Sequence, residues 1–303
     1  MKQKLIIVLL AFICAESYAQ FGPQQIITTN VALAKTVYAA DIDGDGAIDV
    51  LSASSGDHKI AWYQNTNGLG DFGPQNVIAL LDQTRWVRAA DLDGDNDIDV
   101  IASAGFIDLV VWYENLDGQG NFGPQQIISN TADGAFSVIA ADLNGDENID
   151  VVSAADLEDT ISWYENDGNG NFGPEQIITT IADSAASVFA TDLDNDGDID
   201  VLSASVIDSK IAWYENLDGQ GNFGPQQIIS VNAPGTLSTF AADLDGDGDM
   251  DVLSASQIDH KIAWYENLTI LGVATHNKPT IKVYPNPSKE IVFVEAKQGV
   301  ITK

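Results

Sequence analysis

The residues best suited to chemistry in this chain are aspartates spaced two apart. The stretch Asp41-Ile42-Asp43-Gly44-Asp45-Gly46-Ala47-Ile48-Asp49 sets carboxylates at positions 1, 3, 5 and 9 of a nine-residue loop. Its glycines permit the tight turn that would bring them, with the carbonyl of Ala47 at position 7, onto one point. Hard oxygen donors in a flexible loop suit calcium, whereas zinc or copper would draw on His or Cys, which the loop does not offer. An EF-hand is excluded. That motif needs Glu at its twelfth position, and here the equivalent residue is Ser52, with no helical pattern on either side. Acidic loops also begin at Asp91, Asp142, Asp192 and Asp243, and their twelfth residues are again small: Ala102, Ser153, Ser203 and Ser254.

The segments that must position these loops repeat with them. FGPQ or FGPE begins at Phe21, Phe72, Phe122, Phe172 and Phe223, and a Trp-Tyr pair at Trp62, Trp112, Trp163, Trp213 and Trp264, every series spaced by 50 or 51 residues. Within the last copy, Leu237 to Asp243, Asp251 to Ser256 and Lys261 to Asn267 read as strands separated by turn residues, and Phe223 to Ile229 exemplifies the fourth strand. Four short strands per ~50 residues make one blade of a β-propeller. The expected fold is therefore all-β: a five-bladed propeller over residues 20–268, closed by the N-terminal strand Phe21 to Ile27, which would dock on the last blade and remove the exposed edge. The repeated tryptophans are expected to pack between neighbouring sheets, and Gln64, Glu114, Glu165, Glu215 and Glu266 to line the rim.

These repeats, typified by AADLDGDGDMDVLSAS (residues 241–256) and KIAWYENLDGQGNFGPQQII (residues 210–229), resemble the FG-GAP or VCBS family, the calcium-loop blades of integrin-α-type propellers and of many secreted bacterial proteins. The resemblance implies a propeller fold and calcium held by each loop. Its ligands would be Asp41, Asp43, Asp45 and Asp49; Asp91, Asp93, Asp95 and Asp99; Asp142, Asn144, Asp146 and Asp150; Asp192, Asp194, Asp196 and Asp200; and Asp243, Asp245, Asp247 and Asp251. The seventh position, Ala47, Asp97, Asn148, Asp198 or Asp249, would add its carbonyl. The third loop should be the weakest, because Asn144 removes a carboxylate and Glu147 stands at the sixth position, where a positive φ is expected and a Cβ is penalised.

With 45 acidic against 13 basic side chains, the formal charge is -32, which repels phosphate backbones and anionic headgroups and argues against nucleic acid as partner. Residues 1–19 read as a secretory signal, with Lys2 and Lys4, an apolar run, and Ser17-Tyr18-Ala19 at the cleavage site; no stretch is long enough for a transmembrane span. The mature chain is expected outside the cell or on its surface, without cysteine, since Cys14 lies within the signal. A linker is expected over 269–277. Residues 278–303, with KVYPNPSKE and two short strands, resemble the start of the C-terminal sorting domain of the type IX secretion machinery, cut short at Lys303.

The function expected is a binding or adhesion module for an extracellular glycan or protein. A polysaccharide-acting lyase or hydrolase is the alternative, but the repeated acids sit in the loops and no Ser-His-Asp order or phosphate-cradling loop occurs. His58 and His260 read as turn residues. One place breaks the repeat. The second unit holds the chain's only two arginines, Arg85 and Arg88, around Trp86, and its connection from Phe72 to Asp91 is one residue shorter than the others. A guanidinium beside an indole would suit an acidic glycan.

Overall fold

The structure, a computed structural model, describes residues 23–268 and two further short strands, Lys282–Tyr284 and Phe293–Glu295. The signal segment, Phe21, Gly22 and the 269–277 linker lie outside the described residues. The chain divides into two units, residues 1–30 and residues 31–303. In the first, residues 23–30 carry neither helix nor strand.

The second unit is built from antiparallel sheets in strict chain order. Sheet one comprises β1 (Ala34–Ala40), β2 (Asp49–Ser54), β3 (Lys59–Tyr63) and β4 (Asn76–Leu80). Sheet two comprises β5 (Thr84–Ala90), β6 (Asp99–Ala104), β7 (Leu109–Tyr113) and β8 (Gln126–Ser129). Sheet three has β9 (Ala135–Ala141), β10 (Asp150–Ala155), β11 (Thr160–Tyr164) and β12 (Gln176–Thr179). Sheet four has β13 (Ala185–Thr191), β14 (Asp200–Ser205), β15 (Lys210–Tyr214) and β16 (Gln227–Ser230). Sheet five comprises, among the described residues, β17 (Thr236–Ala242), β18 (Asp251–Ser256) and β19 (Lys261–Tyr265). Near the C-terminus β20 (Lys282–Tyr284) pairs antiparallel with β21 (Phe293–Glu295), where two short strands were expected.

Second strands such as β6 and β10 are buried along their whole length, which is why DVIASA and DVVSAA carry Ser and Ala between their larger apolar residues: sheets stacked on both faces leave room only for small side chains. The core lies in the interfaces between successive sheets. Leu51, Ile60 and Trp62 of sheet one meet Val87, Val100 and Tyr113 of sheet two, and the same pattern recurs at the next three interfaces. In sheets one to three the Trp of the third strand lies over the following sheet as expected, since a Cβ placed on Gly120, Gly170 or Gly221 would strike the ring of Trp62, Trp112 or Trp163; Trp264 of sheet five is instead 49% exposed.

First strands also pack side by side, β1 on β5, β5 on β9, β9 on β13 and β13 on β17. The series does not close in the expected way. Val37 of β1 is 69% exposed, whereas its register equivalents Val87 and Val138 are 0% exposed; at the other end Ile262 of β19 is 79% exposed where Ile60, Ile161 and Ile211 are 0%. Among the described residues sheet five has three strands, and Pro23 to Ile27 form none. The expected closing strand is thus corrected. In sheets one to four the fourth strand is tethered to the third by a short turn locked by an isolated bridge, as between Asn65 and Phe72 or Asn166 and Phe172. The first FGPQ copy is separated from β19 by more than two hundred residues, so pairing the two means closing a loop of that length.

Candidate metal centres

Each acidic loop joins the first strand of a sheet to the second and is folded by its own aspartates. In the second loop Asp91 accepts the amides of Gly94 (2.8 Å) and Asn96 (3.0 Å), and Asp95 accepts that of Asp97 (2.8 Å). The same ladder forms in the fifth, where Asp243 accepts Gly246 (2.7 Å) and Gly248 (3.2 Å). The backbone turns left-handed at the fourth and sixth positions of every loop, for instance at Gly44 (φ 68°) and Gly46 (φ 86°). Asn96 (φ 72°) and Glu147 (φ 71°) adopt this conformation without being glycine, as the reading of Glu147 required.

The ninth aspartate opens the second strand and is buried. Asp99 accepts the amide of Leu92 (2.9 Å) on one oxygen and that of Asn115 (2.8 Å) on the other. Burial pushes Asp99 and Asp200 up from 3.8 to about 7, and Asp150 to about 6, against the opposing pull of those amide hydrogen bonds.

Carboxylate oxygens converge within 4.8 Å of one another in four loops: Asp41, Asp43 and Asp45; Asp91, Asp93 and Asp99; Asp192, Asp194 and Asp200; Asp243, Asp245 and Asp251. Asp49 in the first loop, and Asp95, Asp196 and Asp247 in the others, stand outside these triads. The third loop forms no such triad among the described residues. Asn144 donates its amide to Asp146 (3.2 Å) and so satisfies internally a carboxylate that would otherwise face a cation. Seventh-position side chains turn away from the cluster: Asp97, Asn148 and Asp198 lie against Gly118, Gly168 and Gly219, and Asp249 accepts from Asn195 of the preceding sheet (2.8 Å).

The donor set fits a hard cation. Oδ1 of Asp41 and Oδ1 of Asp192 are shut off from solvent without any hydrogen-bond donor, and an orphaned carboxylate oxygen beside two more carboxylates is costly unless a cation meets it. Restoring the third loop should show the same logic in reverse. Asn144→Asp combined with Glu147→Gly is expected to tighten its calcium affinity by about tenfold, since a carboxylate is added and a Cβ removed from a left-handed position. Calorimetric titration of the double variant checks this; an unchanged weakest site would refute it.

Sequence reasoning passed over the asparagine that follows each Trp-Tyr pair, although it recurs in all five copies. Besides fixing the ninth aspartate through its backbone, its side chain crosses to the preceding sheet: Asn115 to the carbonyl of Ile42 (2.8 Å), Asn166 to Leu92 (2.7 Å), Asn216 to Leu143 (2.8 Å) and Asn267 to Leu193 (2.7 Å). Every acceptor is the second residue of an acidic loop, so the loops are chained together.

The trio Arg85, Trp86 and Arg88 separates. Arg85 stacks over Phe106 (5.2 Å) and Phe136 (4.7 Å), while Trp86 and Arg88 line a cavity between the first strands. His58 and His260 occupy turns with φ of 57° and 59°, and His58 Nδ1 lies 2.9 Å from Asp82. Among the described residues no helix is long and apolar enough to cross a membrane.

The model of the FG-GAP-like repeat matches residues 41–102, 103–153, 142–203 and 192–254. No curated protein matches the sequence. Among solved structures, a lectin of Agrocybe aegerita, described as recognising non-reducing terminal N-acetylglucosamine, is similar with a TM-score of 0.56 and 21% identity, over 79% of this chain and 64% of its own. A putative phosphatase of Bacteroides thetaiotaomicron is similar with a TM-score of 0.53 and 10% identity, over 77% and 60%. The V. cholerae biofilm matrix protein Bap1 gives 0.43 and 21%, over 78% and 38%. The chain thus spans less than two thirds of the length of each, and at these identities the likeness to the lectin and the phosphatase concerns the fold alone.

Proposed function

The chain belongs to the family of FG-GAP-like repeat proteins, and from that premise we propose that it is an exported, calcium-loaded propeller that binds an extracellular glycan or protein. The observation that carries the calcium part is the convergence of three carboxylates in each of four loops, two of them with a buried oxygen that has no donor. Calcium would supply the positive charge that lets these carboxylates stay ionised while crowded together. The residues holding it would be the four triads, with the remaining loop aspartates and seventh-position carbonyls completing the shell. What the chain does itself is fix the loops: the left-handed fourth and sixth positions set the turn, and the crossing asparagines tie each loop to the next sheet.

A binding role, without turnover, is supported by the fold likeness to a lectin and by the placement of the repeated acids in the loops, where metal binding would occupy them. Export by the 1–19 signal, with 278–303 as the start of a type IX sorting segment, belongs to the same proposal. The test is a glycan and protein array probed with the full chain in calcium and again after chelation. Calcium-dependent retention with no new reducing ends or unsaturated uronates is expected; turnover of a retained glycan would replace this reading with the enzymatic one, and retention indifferent to chelation would remove calcium from it.

A further inference from the structure

We propose that the cavity between the first strands of the five sheets binds an acidic sugar through Arg88 and Trp86; the proposal rests on the binding-module reading and names its ligand class. The cavity measures ≈ 400 Å³, within the range of small-ligand sites, and its lining includes Tyr38, Trp86, Arg88, Ser187, Phe189 and Phe240. No lining residue is acidic, and Arg88 is the sole charge there, in a chain where acids outnumber bases 45 to 13.

Arg88 has been withdrawn from water without a counter-ion. Among the described residues it forms no ion pair, although four lysine or histidine pairs form elsewhere. Its guanidinium donates to the carbonyl of Val87 (2.9 Å) and lies 5.0 Å from the Trp86 ring centre and 5.2 Å from that of Tyr38. The rings orient the cation without neutralising it. Burial lowers its pKa, against an opposing pull from the Tyr38 hydroxyl. Nε1 of Trp86 is likewise buried with no acceptor. Donors are therefore in surplus, and a carboxylate or sulfate is the group that accepts from both an indole and a planar guanidinium.

The walls suit a sugar ring. Phe189 and Phe240 lie 4.6 Å apart, and Phe240 is 49% exposed, so an apolar face is open to a pyranose. Ser187 accepts the amide of Thr239 (3.2 Å), which leaves its own proton to donate. Trp86 packs partly against the core between sheets two and three, but the shorter connection does not account for it. The one-residue shortening of the second connection is absorbed between Asn76 and Leu81, where β4 continues one residue further than its counterparts, whereas Leu81 to Thr84 keeps the spacing of Ala132 to Ala135. Trp86 is not filling that gap. The other sheets place Thr36, Ser137, Ser187 and Ser238 at its position, so the repeat folds without an indole there.

Calcium-loaded full chain should be titrated with trigalacturonate, with its methyl ester and with a sulfated disaccharide, read by calorimetry and tryptophan fluorescence. Saturable binding of at least one acidic probe, none of the ester, and a loss of about tenfold or more in Arg88→Gln at unchanged melting temperature are expected. Arg85→Gln, whose guanidinium is stacked elsewhere, should bind as the parent does. No saturable binding of either acidic probe, equal affinity in Arg88→Gln, or an equal loss in Arg85→Gln would overturn the assignment. Should Arg88→Gln not fold, Trp86→Phe serves: weakened binding supports the site and unchanged affinity overturns it. Array retention of another ligand, undisturbed by Arg88→Gln, would defeat this inference while leaving the binding-module reading intact.

Discussion

Stripping calcium from the protein should lower its melting temperature by about 20 °C or more. The expectation follows from mass action: a ligand present at a hundred times its dissociation constant stabilises by about 2.7 kcal/mol per site, so four independent sites contribute on the order of 10 kcal/mol. For a domain of this size each kcal/mol moves the transition by roughly 2–4 °C. The structural basis is that the triads sit at the base of the second strands, whose ninth aspartates are buried and hydrogen-bonded to two amides. Losing the cation leaves mutually repelling carboxylates at the points where each sheet begins. Magnesium, which demands near-ideal octahedral geometry, should restore much less of the stability. Differential scanning calorimetry in chelator, then with each ion returned, gives the answer, and a transition insensitive to chelation would end the calcium reading.

The metal-free and calcium-loaded proteins should respond to pH with opposite sign. Asp99 and Asp200, raised to about 7, and Asp150, raised to about 6, hold their protons in the folded state long after the unfolded chain has released them near 3.8. Between these values the native state binds more protons, so the stability of the metal-free protein falls as pH rises from about 4 to 7, by an amount on the order of several kcal/mol for the three groups together. Calcium requires the deprotonated ligands, so in its presence stability should instead rise over the same interval. Melting curves on dialysed, metal-stripped protein at pH 4.5, 6 and 7.5, with and without added calcium, distinguish the two slopes. Parallel slopes would mean that the buried aspartates are not the groups that calcium engages.

Strand order within each sheet and the loop positions were legible because both rest on local chemistry repeated five times: glycine or asparagine where φ is positive, aspartates two apart, Trp-Tyr at constant spacing. Glu147 illustrates how far this reaches, since its left-handed backbone follows from the copies that place glycine there. Two things were not legible. Closure depends on a contact between the ends of the chain that no local pattern encodes, and the exposed Val37 and Ile262 show that matching strand inventories do not by themselves form an interface. The separation of Arg85 from Arg88 was not one of them: three residues apart on an alternating strand they face opposite ways, and Trp86 shares the face of Arg88. The crossing asparagines were visible as a repeat, but their acceptors lie 73 or 74 residues away.

Those crossings give the architecture a grammar of growth. Sheets two to five each insert one asparagine amide into the loop behind, and the loops of sheets one to four each present a carbonyl to the sheet ahead. The unit is thus directional, like a monomer with a head and a tail, and its coupling chemistry is the same at every joint. Duplicating or deleting one whole unit of ~50 residues would leave every remaining joint with its proper donor and acceptor, whereas a cut anywhere inside a unit would strand one of them. The constraint on length is therefore quantised: whole repeats can be added or removed, while any change of phase between loop and asparagine breaks the series.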